Sequence, residues 1–200
     1  MVAALHWPLV GERLTVNRER ITVISERSTV NAIMDKLQIG GIMQSDGRAL
    51  IKILSVPDHA SVVATLLEAL AGESINIELL AQSFDLDDYG NLALVIDQKD
   101  LDRALSILED IRPTLDAKVI SYTPDVAVIT VFGHHLREKP HIHGRMFSSM
   151  ASAGIGSLAI STSISSVSCV IKGEDTDTVL RALSDTFDLP DQIKNRPKDY

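Results

Sequence analysis

Apolar and polar residues follow the same order in two stretches of the chain, residues 51–84 and 126–163, which lie about 80 residues apart. Each stretch has an apolar strand, a polar turn, an amphipathic helix, a glycine near the helix end and a second apolar strand. A repeated order of elements is typical of a duplicated folding unit. The chain is therefore predicted to contain two similar units.

The first unit is marked by apolar residues at helical spacing after a polar turn. Val62, Leu66 and Leu70 recur on one face of a helix, which Asp58 can cap at its start and Gly72 at its end. The other predicted elements are strands over residues 50–56, 75–84, 92–96 and 118–122, and a helix that opens at Asp100 and is stopped by Pro113.

The second unit follows the same order but is one strand short. Its predicted elements are strands over residues 127–132, 155–162 and 167–171 and helices over 140–152 and 176–187. A strand over residues 39–44, which turns at Ser45-Asp46-Gly47 into the first unit, can supply the missing edge. Each unit then counts as β-α-β-β-α-β, the ferredoxin-like sandwich of two helices on an antiparallel sheet.

The predicted fold class is therefore α+β, with tandem ferredoxin-like units in which the first is inserted into the second. The predicted domains are an N-terminal extension over 1–37, a first domain over 48–123, a second domain over 38–47 plus 124–188, and a flexible tail over 189–200. Within the extension, residues 13–25 alternate like two short strands and residues 28–37 have helical spacing.

Charge and composition narrow the class of partner. The 200 residues carry a formal net charge of −8, and no dense Lys/Arg face is available to neutralise phosphates. We expect neither nucleic acid nor a membrane as partner, but small molecules or proteins. The single cysteine, Cys169, forms no internal disulfide, and no secretion signal or membrane-spanning apolar run is evident. These features predict a cytoplasmic protein.

Several short motifs resemble those of one family. Asp58-His59-Ala60-Ser61 is similar to a D-x-P-G effector turn, Asn76-Ile77-Glu78 to an N-I-D/E strand start, and Lys139-Pro140 to the H-P of the matching second turn. Gln82 follows Asn76 by six residues, and residues 160–163 read I-S-T-S. Together with the predicted order of elements, these motifs resemble the regulatory half of aspartokinases, a pair of ACT domains.

The resemblance implies a non-catalytic regulator that binds a free amino acid of the lysine or threonine type. It also implies control of an aspartate-family biosynthetic enzyme such as aspartokinase, and a homodimer. The kinase motif K-x-G-G-[ST], a Walker A loop and G-x-G-x-x-G are absent from the sequence, so we expect no catalytic residues and no cofactor. The ligand-binding residues that it implies are Asp58, His59, Ala60, Ser61, Asn76, Ile77, Gln82, Lys139 and Pro140.

The chemistry of such a site can be argued from the residues themselves. A helix that begins after Asp58 offers free backbone N–H groups to a carboxylate. The Asp58 carboxylate and the amide oxygen of Gln82 can accept hydrogen bonds from an ammonium group, while Asn76 can orient either end. None of these groups has to change its protonation state. The predicted chemistry is therefore binding without reaction.

Two other functions are compatible with the sequence. Ala60, Ser61 and His141 replace Pro or Gly of the motifs, and Gly156 and Leu158 replace the Asn and acid of the second copy. A ligand-free protein-interaction scaffold would explain these losses. A metal-binding protein is the third option, because His134, His135, His141 and His143 fall within ten residues. His141 and His143 would point about 200° away from each other at the start of a regular helix, so no metal ligands are assigned.

Overall fold

The structure is a computed structural model that describes residues 36–57, 60–133, 136–138, 141–188 and 194–195. The described helices are α1 Ala60–Gly72, α2 Leu101–Leu115, α3 His141–Ser152 and α4 Thr176–Thr186. The described strands are β1 Leu37–Gln38, β2 Gly41–Pro57, β3 Ile77–Phe84, β4 Tyr89–Asp97, β5 Val119–Phe132, β6 Ala159–Thr162, β7 Ser166–Lys172, β8 Phe187–Asp188 and β9 Lys194–Asn195. Short 3₁₀ turns, Gln98–Asp100 and Gly173–Asp175, lead into α2 and α4.

One continuous sheet carries both predicted units. Its strand order is β3-β4-β2-β5-β7-β6, with β9 beside β2. The C-terminal half of β2 pairs with β4 on one side and with the first half of β5 on the other, which completes the first unit with α1 and α2. The N-terminal half of β2 pairs with the second half of β5, which pairs with β7 and so completes the second unit with α3 and α4. The tandem, interrupted ferredoxin-like prediction is confirmed.

The turn predicted at Ser45-Asp46-Gly47 is wrong. The chain does not reverse there, because β2 runs on from Gly41 to Pro57 with register shifts against β5 on either side of Arg48. Gly47 absorbs the irregularity with φ of 65°, and Asp125 on the neighbouring strand has φ of 50°. A bulge bends a strand without ending it. For the same reason, the strands predicted over 118–122 and 127–132 are one strand, β5.

Each unit has its own core between helices and sheet. In the first unit, the apolar faces of α1 and α2 bury Leu66, Leu70 and Leu108 against Ile51 and Leu94. The second core contains buried residues of α3, α4, β5 and β7 together with the start of β2, among them Met146, Leu183, Ile129, Cys169 and Ile42. Alternation along the strands explains both cores, because every second residue points to the helices.

The strand residues that point away from the helices form a third apolar cluster, which both units share. Leu50, Leu79 and Val95 of the first unit join Val128 and Val170 of the second. Strands β3 and β6 also contact each other, although they lie at opposite ends of the strand order. The helix-free face of the sheet is therefore buried at its centre. The domain bounds themselves stay a prediction, because β2 and β5 belong to both units.

Two helix ends differ from the sequence expectation. Gly72 is the last residue of α1 rather than its left-handed cap, and Ser74 takes the left-handed conformation with φ of 58°. Pro113 lies inside α2, which continues to Leu115. A proline in the last turn removes only one helical hydrogen bond, and the Pro113 carbonyl still accepts the N–H of Asp116 at 3.4 Å.

The two ends of the described region pair within the second unit. Leu37–Gln38 runs parallel to Phe187–Asp188, so Leu37 is in a strand and not in the predicted helix. Residues 1–35, with the predicted short strands and the rest of that helix, lie outside the described residues. In the predicted flexible tail, Lys194–Asn195 pairs with Met43–Gln44. The described helices include none with the length and apolar content that a membrane crossing requires.

Candidate functional site

The structure locates four of the nine predicted ligand-binding side chains: Ser61, Asn76, Ile77 and Gln82. Asp58, His59, Lys139 and Pro140 lie outside the described residues, and Ala60 is seen as the first residue of α1. Ser61 is exposed in the first turn of that helix, directly after the end of β2. It therefore lies where free backbone N–H groups of a helix start are found.

Asn76 and Gln82 lie at different levels of the sheet. Asn76 is exposed just before β3, and its neighbour Ile77 pairs with Ile96. Gln82 is exposed further along β3 and pairs with Leu92, which also pairs with Ile53 of β2. Gln82 is therefore the nearer of the two to the end of β2, where the effector turn begins.

Asn76 and Ser61 do not meet within the first unit. Ile96, the partner of Ile77, pairs with Ala49, whereas Ser61 follows Pro57 at the other end of β2. Eight strand residues at about 3.3 Å each separate the two levels by roughly 25 Å. One amino acid cannot bridge that distance. A site that uses both residues therefore needs Ser61 of one chain and Asn76 of another.

The acid of the Asn76-Ile77-Glu78 motif has an internal partner. Glu78 Oε2 accepts from Arg48 Nε at 2.6 Å, and Arg48 also reaches Asp97 Oδ2 at 3.1 Å. Arg48 is 6% exposed and lies at the bulge of β2, where the two units meet. Ile77 packs against the first core. The sequence showed Glu78 as part of a motif, but it offered no signal that Arg48 would be its partner.

The second copy has apolar or absent side chains at the matching positions. Gly156 stands 80 residues after Asn76, and Leu158 stands 80 residues after Glu78. Leu158 packs against the shared apolar cluster, and its backbone N–H donates to Val170 at 2.7 Å. The two units therefore share a fold but differ in polarity at this strand start.

The histidines of the second turn do not form a metal site among the described residues. His141 is exposed and His143 is half-buried in the first turn of α3, while His134 and His135 lie outside the described residues. The described part of the chain holds no group of three His, Cys, Asp or Glu side chains placed to bind a metal ion.

Cys169 is a core residue. It is fully buried in β7, with its Sγ 3.7 Å from Met150 Sδ. Desolvation by burial raises the pKa of the Cys169 thiol to about 12, and a hydrogen bond with the backbone of Ile129 opposes that rise only in part. A thiol is a nucleophile only as the thiolate. Cys169 therefore has no nucleophilic role near neutral pH.

Comparison with known proteins agrees with this architecture. Residues 129–187 match the family model of the ACT domain. The regulatory subunit of aspartate kinase from Thermus thermophilus, in its ligand-free form, superposes with a TM-score of 0.69 at 25% identity, over 75% of this chain and 99% of that chain. This chain therefore resembles the regulatory region of aspartokinases. The regulatory subunit from Thermus flavus gives a TM-score of 0.70 at 25% identity, over 76% and 99% of the two chains.

Longer relatives contain the same region. The aspartokinase of Bacillus sp. (strain MGA3) is 25% identical over 177 residues, which are 88% of this chain and 42% of the relative. An aspartate kinase structure from Synechocystis is 28% identical with a TM-score of 0.70, over 80% of this chain and 29% of that chain. The chain thus spans about two fifths of the length of the curated relatives that it matches.

Proposed function

We propose that this aspartokinase-like regulatory chain binds a free amino acid of the lysine or threonine type and controls an aspartate-family biosynthetic enzyme such as aspartokinase. The observation that carries the proposal is the match over 99% of the length of two Thermus regulatory subunits. The exposed polar residues of the first unit, Ser61, Asn76 and Gln82, add chemistry suited to a zwitterion.

The proposed site lies between the units of two chains rather than within one unit. Asn76 and Ser61 lie at opposite ends of the first unit, so ligand binding joins two surfaces. An effector that bridges two surfaces favours the arrangement in which they are close, and this is a population shift. The activity of a partner enzyme that contacts the chain then depends on which arrangement is populated.

A homodimer is part of the proposal. Within the described residues, β3 pairs only with β4 and β6 only with β7, so each presents an open edge. Leu80 and Phe84 on β3 and Ile160 on β6 are exposed to 36%, 50% and 45%. Open apolar edges favour pairing with another strand. Light scattering of the purified chain measures this association directly.

Calorimetric titration with each proteinogenic amino acid tests the ligand proposal. We expect one saturable, stereospecific response that is lost in Asn76→Ala and weakened in Ser61→Ala. Ser106→Ala is the matched control, because Ser106 is also an exposed helical serine but lies on α2, away from the site. It should bind like the unmodified chain.

The other outcomes separate the alternatives. A chain that responds to no amino acid is a scaffold, and the ligand proposal is then wrong. Control of an enzyme is measured separately, as the change in activity of an aspartokinase catalytic chain when this chain and the amino acid are added. An unchanged activity, despite binding of the amino acid, would contradict the regulatory part alone.

A further inference from the structure

A polar cavity of about 330 Å³ lies where the bulge of β2 meets the start of α4. The bulge of β2 contributes Asp46, and that of β5 contributes Asp125. Glu174 comes from the 3₁₀ turn before α4, and Thr176 and Asp177 are the first two residues of α4. Four carboxylates therefore line one cavity of the second unit.

Most of this negative charge is not neutralised within the described residues. Glu174 has a surface ion pair with Lys172 at 3.3 Å, but Asp46, Asp125 and Asp177 have no Lys, Arg or His partner there. Asp46 accepts a hydrogen bond from the Gln44 amide, which carries no charge. Like charges around one cavity create a potential that attracts cations.

Thr176 supplies a buried hydroxyl group at the cavity. Thr176 lines the cavity and is 6% exposed, and its Oγ1 has no hydrogen-bond partner among the described residues. Buried hydroxyl groups almost always have a partner, because leaving one without a hydrogen bond is costly. The Thr176 hydroxyl is therefore available to accept a hydrogen bond from a ligand at the acidic cavity.

The 3₁₀ turn before α2 carries a side chain at the position that matches Gly173. There the Gln98 side chain occupies the start of the 3₁₀ turn, and its Oε1 accepts the N–H of Asp125 at 2.6 Å. The matching turn before α4 begins with Gly173. A Cβ at Gly173 would lie 2.8 Å from Asp125 Oδ1 and 3.0 Å from its backbone oxygen. The lack of a side chain at Gly173 therefore lets Asp125 lie directly against the turn, which holds its carboxylate at the cavity.

We propose that this cavity binds an organic cation with primary ammonium groups, of the diamine class. An ammonium group donates three hydrogen bonds, which carboxylates and the Thr176 hydroxyl can accept. A chelated metal fits less well, because no set of three metal-binding side chains is arranged for one in the described part of the chain. The cavity also has the volume of about ten water molecules, which suits a small organic ion.

Titration of the full chain with 1,4-diaminobutane tests the proposal, with melting temperature and calorimetry as readouts. We expect a saturable rise in the melting temperature of the unmodified chain. The double variant Asp46→Asn/Asp125→Asn should bind the diamine about tenfold more weakly. Asparagine keeps the size of both residues and tolerates the left-handed backbone of Asp125. Thr176→Val should also weaken binding, while raising the melting temperature of the ligand-free chain. Asp102→Asn, an exposed acid on α2, is the matched control and should bind normally.

Three results would overturn the proposal. These are equal affinity in the control and the cavity variants, the same shift with NaCl or MgCl₂ at matched ionic strength, or the same shift with uncharged 1,4-butanediol. Asn76→Ala separates this site from the proposed effector site, because it should leave the diamine response intact. A chain that binds the diamine but no amino acid would support the cavity and contradict the proposed function.

Discussion

Arg48 is a buried charge at the point where the two units share their strands. Its guanidinium group contacts Glu78 and Asp97, and the side chains of Arg48 and Glu78 are 8% and 10% exposed. A buried ion pair is not a large net source of stability, but removing one partner leaves the other charge desolvated. The pair therefore fixes the position of the start of β3, which directly follows Asn76.

Arg48→Met is expected to lower the free energy of unfolding by about 3–5 kcal/mol, because Glu78 and Asp97 both lose the guanidinium group of Arg48. Urea denaturation measures this loss. Arg103→Met removes an exposed pair with Asp100 at 2.8 Å and should cost less than about 1 kcal/mol. Equal losses of unfolding free energy in the two variants would show that burial does not increase the cost of removing Arg48.

The Cys169 thiol is expected to resist modification in the native chain at pH 8. Its pKa is raised to about 12, so the reactive thiolate is scarce, and the buried site also excludes the reagent. Ellman's reagent should therefore label the native chain slowly and label one thiol at once in denaturant. Rapid labelling under native conditions would contradict the burial of β7.

At the scale of elements, the first helix of each unit ends in the same motif. Ile75 N–H donates to Leu70 and Ser74 N–H to Ala71, and the pair of bonds recurs 80 residues later at Ile155 and Gly154. This is the Schellman arrangement, which needs a left-handed residue. The first copy uses Ser74, with φ of 58°, and the second uses Gly154, with φ of 75°.

The duplicated motif supplies a paired prediction. Ser74→Gly should stabilise the chain by about 0.5–1 kcal/mol, because glycine adopts the left-handed conformation without steric cost. Gly154→Ala should destabilise it by about 1 kcal/mol through backbone strain alone, since an added Cβ meets no atom within 4 Å. Thermal unfolding of both variants measures the two effects. Shifts of the same sign would contradict the left-handed assignment.

At the scale of the whole molecule, β2 and β5 bind the two units into one sheet. Both strands pair with each other along almost their whole length, and each contributes to the first core, the second core and the shared apolar cluster. Loss of order in one unit would therefore expose strands of the other. The described units are expected to unfold together.

Core truncations test this coupling. Leu66→Ala in the first unit and Met146→Ala in the second should each cost about 2–5 kcal/mol, because both side chains are fully buried. Hydrogen exchange should then show lower protection in the strands of both units for either variant. Protection that falls only in the unit carrying the substitution would mean that the units open independently.

The sequence was sufficient for the order of elements. Periods of two and 3.6 residues reflect which faces of strands and helices are buried. The duplication supported each assignment in one unit by the matching segment in the other. Residues such as Leu66, Leu70 and Leu94 were therefore placed correctly. The turn predicted at Ser45-Asp46-Gly47 failed because its composition suits a turn and a bulge equally well. Only pairing with a neighbouring strand decides between them.

By itself, the sequence determined the α+β class and the presence of two units. It also determined that the strand preceding the first unit belongs to the second. These depend on local periodicity, which each segment carries within itself. The tertiary structure alone decided that Arg48 pairs with Glu78, that Asn76 lies far from Ser61, and that Thr176 faces an acidic cavity with Asp46 and Asp125. Such neighbours are distant in sequence, and they meet only because strand register and sheet curvature bring them together.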